Sequence, residues 1–324
     1  MKFAMRHALT ALAALALGIF AATASAQVYP SKPVRLVVPY PPGGSNDVLS
    51  RIMAETMAPG LGQQITIDNR GGAGGRIGAE HAARSDPDGY TILNVQSSFT
   101  TNIATRAKMP YDAAKDFAYI GMMALGPMLV TVHPSMPLKN VRELVALAKA
   151  RPGELNYGTS GAGGINHMST ALFANMAGIN IVHVPYKGIG PAMTDLIGGH
   201  VQLVITSFPS AFTHVKSGRL KALATAGAKR TAFAPEIPTV AESGVPGYSA
   251  QLWWGLATPV KVPDAIVNRL AAEMNKGLKA PKLKERFNRE GAEPLIMTRD
   301  EFRNYVLAEI ERWRKVARDS NIKP

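Results

Sequence analysis

The stretch Gly158-Thr159-Ser160-Gly161-Ala162 holds the residues best suited to covalent chemistry. Hydrolases with a G-x-S-x-G turn expose a nucleophilic serine between a strand and a helix. Here the last position is Ala162, and His167, Asp195 and His200 follow in no convincing triad order. An exported serine hydrolase working through Ser160 and His167 stays as a distant alternative, and the chain is expected not to be an enzyme. Phosphoryl transfer on a P-loop is excluded, because no Gly-Lys pair occurs. "GGAGGRIGA", from Gly71 to Ala79, matches a dinucleotide fingerprint only loosely. Its Gly72, Gly74 and Gly78 have the wrong spacing, so it reads as a tight loop opening a helix. With no cysteine and no H-x-x-x-H spacing, a metal site has no support. Nothing here calls for a cofactor.

A binding device, by contrast, occurs twice. After "RLVVPY" come Gly43-Gly44-Ser45-Asn46-Asp47, a helical stretch and "QITI". After "LNYGTS" come Gly163-Gly164-Ile165-Asn166-His167, a helical stretch and "IVHV". Both read as strand, Gly-Gly-x-Asn-polar, helix, strand. A helix start carries unpaired N–H groups and a partial positive charge. Glycine lets the backbone come close to a ligand. Two such starts facing each other across a cleft would grip one anion from both sides. Ser45, Asn46, Ser97, Ser98, Thr159, Ser160 and Ser207 add neutral donors suited to the same grip. Ser97-Ser98 follow "YTILNV" at a strand's C-terminal end, where open α/β sheets bind ligands, and Tyr186 follows "VHVP" in the same way. Asp47 would repel an anion, so it is expected to cap the helix start or bind loop amides; the alternative is that it accepts from a ligand amine or hydroxyl. His167, its counterpart, serves either as a local cap and packing group or as a ligand contact.

These residues need elements to hold them. "VRLVV", "QITI", "YTILNV", "MLVTV", "LNYGT", "INIVHV", "VQLVI" and "LKALAT" read as strands, with helical stretches such as "DVLSRIMAETM" and "HMSTALFANMA" between them. Such alternation implies α/β architecture with parallel sheets covered by helices. The C-terminal end is helical. Thr298-Arg299-Asp300-Glu301 is a capping box, and Phe302, Tyr305, Val306, Ile310, Trp313 and Val316 behind it form one apolar stripe for the core. Trp253-Trp254 is expected to pack near a lobe junction, the other reading being that it lines the cleft.

The N-terminal residues 1–26 read as a secretory signal peptide: Lys2 and Arg6, an uncharged apolar run, then "ASA" before Gln27. Cleavage is expected after Ala26, releasing an exported chain. The formal charge is +13, but the basic residues are scattered and aromatics make up only 7%. That argues against nucleic acid and leaves a solvated surface whose potential draws anionic solutes. Without cysteines, disulfides contribute nothing. The length suits two lobes: 28–125 with 236–324, and 126–235.

Longer motifs carry a resemblance. "YPSKPVRLVVPYPPGGSNDVLSR" is followed by "NRGGAGGRIGA", "DPDGYTIL", "VHVPYKGIGPAMTDLIGGHVQL" and "IPTVAESGVPGY…WWGLATP". This order resembles the Bug-type solute receptors of tripartite tricarboxylate transporters across nearly the whole chain after the signal peptide. The resemblance implies a periplasmic binding protein, type II-like, with two α/β lobes and a hinge of crossing strands, and makes the periplasm the expected compartment. It implies a small organic acid as ligand, mono- or dicarboxylate, the class extending to aromatic acids and amino acids. One carboxylate would sit between the loops, partly through ordered water. It also implies membrane permease subunits as partners and no catalysis. Carried onto this chain, the first loop is Pro42 to Asp47, with Gly43 and Gly44, and the second is Thr159 to His167, with Gly161 and Gly163. Gly164 and Ile165 depart from the small hydroxyl residues usual there, which tilts the expected ligand toward a less polar acid. The protein is expected to be a monomer. A receptor serving a membrane sensor kinase is the alternative, since the same cleft serves both.

Overall fold

The computed structural model describes residues 29–322. The signal-peptide segment lies outside them. Two sheets organise the chain. The first contains β1 (Val34–Val38), β2 (Ile65–Asn69), β3 (Thr91–Gln96), β4 (Phe117–Gly126), β10 (Leu252–Pro259) and β11 (Glu293–Pro294), in the order β11-β4-β10-β3-β1-β2. The second contains β5 (Met128–Val132), β6 (Asn156–Thr159), β7 (Val182–Pro185), β8 (Leu203–Ser207) and β9 (Lys221–Thr225), in the order β7-β6-β8-β5-β9. Both are mixed sheets, whereas the strand–helix alternation implies parallel ones. In the first, β10 runs antiparallel to both β3 and β4, and in the second β5 runs antiparallel to β8 and β9. Periodicity within a strand reports burial and is blind to the direction of a partner strand.

The helices are α1 (Ser45–Leu61), α2 (Arg76–Ala83), α3 (Ser97–Ala104), α4 (Val141–Ala150), α5 (Ile165–Ala177), α6 (Ile189–Ile197), α7 (Phe208–Lys216), α8 (Asp264–Lys279), α9 (Pro281–Arg289) and α10 (Arg299–Asp319). None of the described helices is long and apolar enough to cross a membrane.

Two crossings join the lobes. β4 ends at Gly126 and β5 begins at Met128, so Pro127 alone separates the sheets. The return passes from Ala250, whose N–H donates to the Ala226 carbonyl at 2.7 Å, into β10. The cores divide the chain differently from the expected boundary at 235. Val240, Val245, Tyr248 and Ala250 pack in the second lobe's core. They follow Pro238, whose carbonyl accepts from Thr225 N–H at the end of β9 at 2.8 Å. A single bridge, Thr225 to Thr239, joins this stretch to the end of β9, and residues 240–250 stay with the second core before the chain crosses. The capping box of α10 is formed, with the Thr298 side chain accepting from Glu301 N–H at 3.2 Å. Its apolar stripe serves both lobes: Phe302, Val306 and Ile310 enter the first core, and Trp313, Val316 and Ala317 enter the second.

Candidate functional site

Both glycine loops emerge beside the crossings. Gln96, the last residue of β3, pairs with Trp254, two residues into β10, and β1 runs parallel to β3. Ser207, the last residue of β8, pairs with Met128, the first after Pro127, and β6 runs parallel to β8. The C-terminal strand ends of both lobes therefore point at the junction, where ligand sites of open α/β sheets form. The second loop touches the first lobe directly: a Cβ placed on Gly163 would lie 2.6 Å from Thr105 Oγ1. The first loop is tied to the crossing strand by Trp254 Nε1, which donates to Asn46 Oδ1 at 2.8 Å.

The two loops share one backbone design. Gly43 and Gly163 have φ of +87° and +76°, a left-handed turn that side chains disfavour. Gly44 and Gly164 cap the helices with φ/ψ of −82/167° and −73/167°, and neither cap supplies a side-chain acceptor. Asp47 N–H turns back to the Gly44 carbonyl at 2.9 Å, so the N–H groups of Ser45 and Asn46 at the start of α1, and of Ile165 and Asn166 at the start of α5, are the ones open to an external acceptor. The fifth residue of each loop closes it. Gly43 N–H donates to Asp47 Oδ2 at 3.0 Å, and Gly163 N–H donates to His167 Nδ1 at 3.1 Å.

Those closures fix the electrostatics. Asp47 is buried and also accepts from Arg51 Nε and Asn69 Nδ2, each at 3.0 Å. Burial raises its pKa, but bonds from Arg51, Gly43 and Asn69 outweigh that and hold it below the usual carboxylate value. Asp47 is the loop's internal counter-ion and has no free oxygen to offer a ligand amine. His167 stacks on His183 with ring centroids 3.9 Å apart and planes 7° apart, and Tyr157 flanks both. Burial first, then the His183 neighbour, pull its pKa down to about 4. His167 is thus neutral at pH 7, with Nδ1 spent on Gly163. The unfolded chain takes up that proton near pH 6.5 while the folded one does not, so stability falls as pH drops from about 6.5 toward 4. His167→Gln is expected to flatten that slope, measured as denaturant midpoints at pH 7.0 and 4.5.

The remaining expected site residues divide by what they already hold. Ser160 Oγ donates to Asn166 Oδ1 at 2.8 Å, and no described histidine bonds to it as a base. The Ser160–His167 hydrolase pair is therefore not assembled. Thr159 is buried, with Oγ1 2.7 Å from His183 Nε2 and accepting from Gly161 N–H at 3.2 Å. Ser97 is buried, and its Oγ accepts from Trp253 N–H at 2.8 Å, clamping α3 to β10. The Tyr186 hydroxyl donates to Asp195 Oδ2 at 2.6 Å. Burial, then Asp195, push its pKa up to about 12. Ser207 Oγ pairs with Ser210 Oγ at 2.6 Å. Gly43, Gly44, Ser45, Asn46, Ser98, Ser160 and Gly161 remain at least partly exposed around the junction. Trp253 and Trp254 are both buried; Trp254 packs in the first core and only its Nε1 reaches the loop. A groove of about 750 Å³ lies elsewhere, between the Arg106–Ala114 turn and α10, and shares no residue with either loop.

The model of the tripartite tricarboxylate transporter family receptor matches residues 49–322. The chain belongs to this family. It is 37% identical to Protein BugT of Bordetella pertussis over 315 residues, which is 95% of this chain and 97% of that protein. A solved Rhodopseudomonas palustris protein in complex with adipate superposes with a TM-score of 0.84 at 37% identity, covering 91% of this chain and 99% of that one. MatC from the same organism, with bound malate, gives 0.79 at 29% identity, covering 89% and 99%. The molecule is a two-lobed solute-binding receptor of the periplasmic binding protein fold.

Beside the first loop the receptor has a polar corner outside the set of residues expected from sequence. Tyr40 Oη donates to the Gly74 carbonyl at 3.1 Å and accepts from Gln96 Nε2, while Gln96 Oε1 caps α3 through Ser98 N–H at 2.8 Å. Asn102 Nδ2 donates to the same Gly74 carbonyl at 2.7 Å. Burial, against bonds from Gln96 and Ser98, pushes the Tyr40 pKa up to about 12, so it stays a neutral donor. One signal was available: Asn94 and Gln96 alternate as polar residues on one face of a fully buried strand whose other residues after Thr91 are apolar.

Proposed function

We propose that this receptor captures a small organic carboxylate between Gly43–Asn46 and Ser160–Asn166 in the periplasm and delivers it to membrane permease subunits of a tripartite transporter. The observation that carries this reading is the pairing of two helix starts with glycine caps, each lacking a side-chain acceptor, at one inter-lobe junction. Backbone N–H groups there supply charge compensation without a cation. Relatives solved with adipate and malate support the ligand class. Lobe closure about Pro127 and Ala250–Gln251 would bury the acid and present the loaded shape to the permease. The mature chain is read as a monomer starting at Gln27.

The test is thermal denaturation of ligand-free mature protein with mono-, di- and tricarboxylates, amino acids and aromatic acids. A ligand present at about 100 times its Kd adds about 2.7 kcal/mol, enough to raise Tm by several degrees. No rise with any acid would overturn the reading.

A further inference from the structure

A small, partly open cavity of about 10 Å³ lies in the first lobe, lined by Tyr40, Gly74, Asn94, Gln96 and Asn102 with apolar neighbours. Asn94 is completely buried, and both its Nδ2 and its Oδ1 lack a hydrogen-bond partner. An unpaired buried amide is costly, and native proteins satisfy such groups with water or a ligand. The cavity holds one water at most. No lining residue is charged.

The cover of this cavity is built differently from the rest of the lobe. Gly72, Ala73, Gly74 and Gly75 run through consecutive positive φ values of 122°, 49°, 70° and 96°. Ala73 is one of two described non-glycine residues with positive φ, and a side chain there costs about 1–2 kcal/mol. Gly71 to Gly74 are exposed on their outer side. Among the described residues, the side-chain hydrogen bonds to this loop meet at one atom, the Gly74 carbonyl, which accepts from Tyr40 and Asn102; Gly75 also packs against Tyr40 and Pro39. Lifting it would free both donors from the Gly74 carbonyl.

We infer that Gly71–Gly75 is a lid over a second ligand subsite whose floor is Asn94, and that this subsite takes an uncharged group which both donates and accepts, a primary carboxamide at the far end of the acid. This rests on the carboxylate reading above. Full charge is excluded from the subsite because burying an uncompensated carboxylate among neutral groups is far costlier than burying an amide. An amide facing Asn94 satisfies Nδ2 and Oδ1 together, which a methyl group or a carboxylate does not.

The test is calorimetric titration with matched acids differing only at the far end: methyl, carboxylate or carboxamide. Four- to six-carbon chains and para-substituted benzoates provide the sets. In the best-bound set the carboxamide should bind at least tenfold tighter than its two partners. Asn94→Leu should bring the three within about threefold while Tm holds or rises. Asn94→Ser, which keeps a donor and an acceptor, should retain part of the preference. Binding without a carboxamide preference, or a preference that survives Asn94→Leu, overturns the subsite and leaves Asn94 holding a structural water. Failure of every member of every set to bind overturns the carboxylate reading itself.

Discussion

Gly44→Asp should abolish acid binding while leaving the fold intact. A Cβ at Gly44 meets nothing within 4 Å, the residue is exposed, and its φ of −82° suits any side chain. Aspartate is a better helix cap than glycine by only a few tenths of a kcal/mol, so Tm should hold or rise by about a degree. The new carboxylate would occupy the N–H groups proposed to hold the acid and repel an incoming one. We expect affinity for the best acid found by thermal shift to fall at least 100-fold. Gly164→Asp should behave alike, since its Cβ would make ordinary contacts at 3.5 and 3.7 Å with Ser160 and Gly161. Calorimetry on both variants checks this, and undiminished binding in either would remove that loop from the site.

Asp47→Ala should instead damage stability and binding together. It removes the acceptor for Gly43 N–H, Asn69 and Arg51 in one step. Gly43 and Asn69 lose partners in a half-buried corner, while Arg51, half exposed, recovers some hydration. The expected cost is about 2–4 kcal/mol, seen as a lower denaturant midpoint at pH 7. The difference should shrink as pH falls below about 4: a carboxylate held below its usual pKa stabilises the fold above its unfolded value and loses that contribution as it protonates. Since Asp47 sets the turn at Gly43, acid affinity should fall at least tenfold. Asp47→Asn, which keeps one acceptor oxygen, should lie between. A pH-independent loss would show that packing, not the ion pair, is at stake.

Much of the site was legible because its geometry is local. A strand followed by Gly-Gly-x-Asn and a helix leaves the chain few options, and glycine at the left-handed position and at the cap leaves the first two amides of each helix without a side-chain cap. The capping box at Thr298 and the stripe on α10 were legible for the same reason. Both depend only on neighbours within a few residues.

The direction of individual hydroxyls and amides was not legible. Ser97 sits at a strand's C-terminal end, as a ligand contact would, yet its Oγ is taken by Trp253 from 156 residues away. Tyr186 turns to Asp195 on α6, and Thr159 turns to His183 on β7. Asn94 reads as a minor irregularity in an apolar strand until Gly74 and Tyr40 close over it. The same applies to residues 236–250, whose place was decided by one bridge to the end of β9 and by packing in the second core. Two anion-ready helix starts could be read straight from the chain, because caps and left-handed turns are made by adjacent residues. Which polar side chains stay free beside them depends on how the lobes pack. A side-chain hydrogen bond goes to whichever partner the packed elements bring within about 3 Å, and that partner can lie anywhere along the chain.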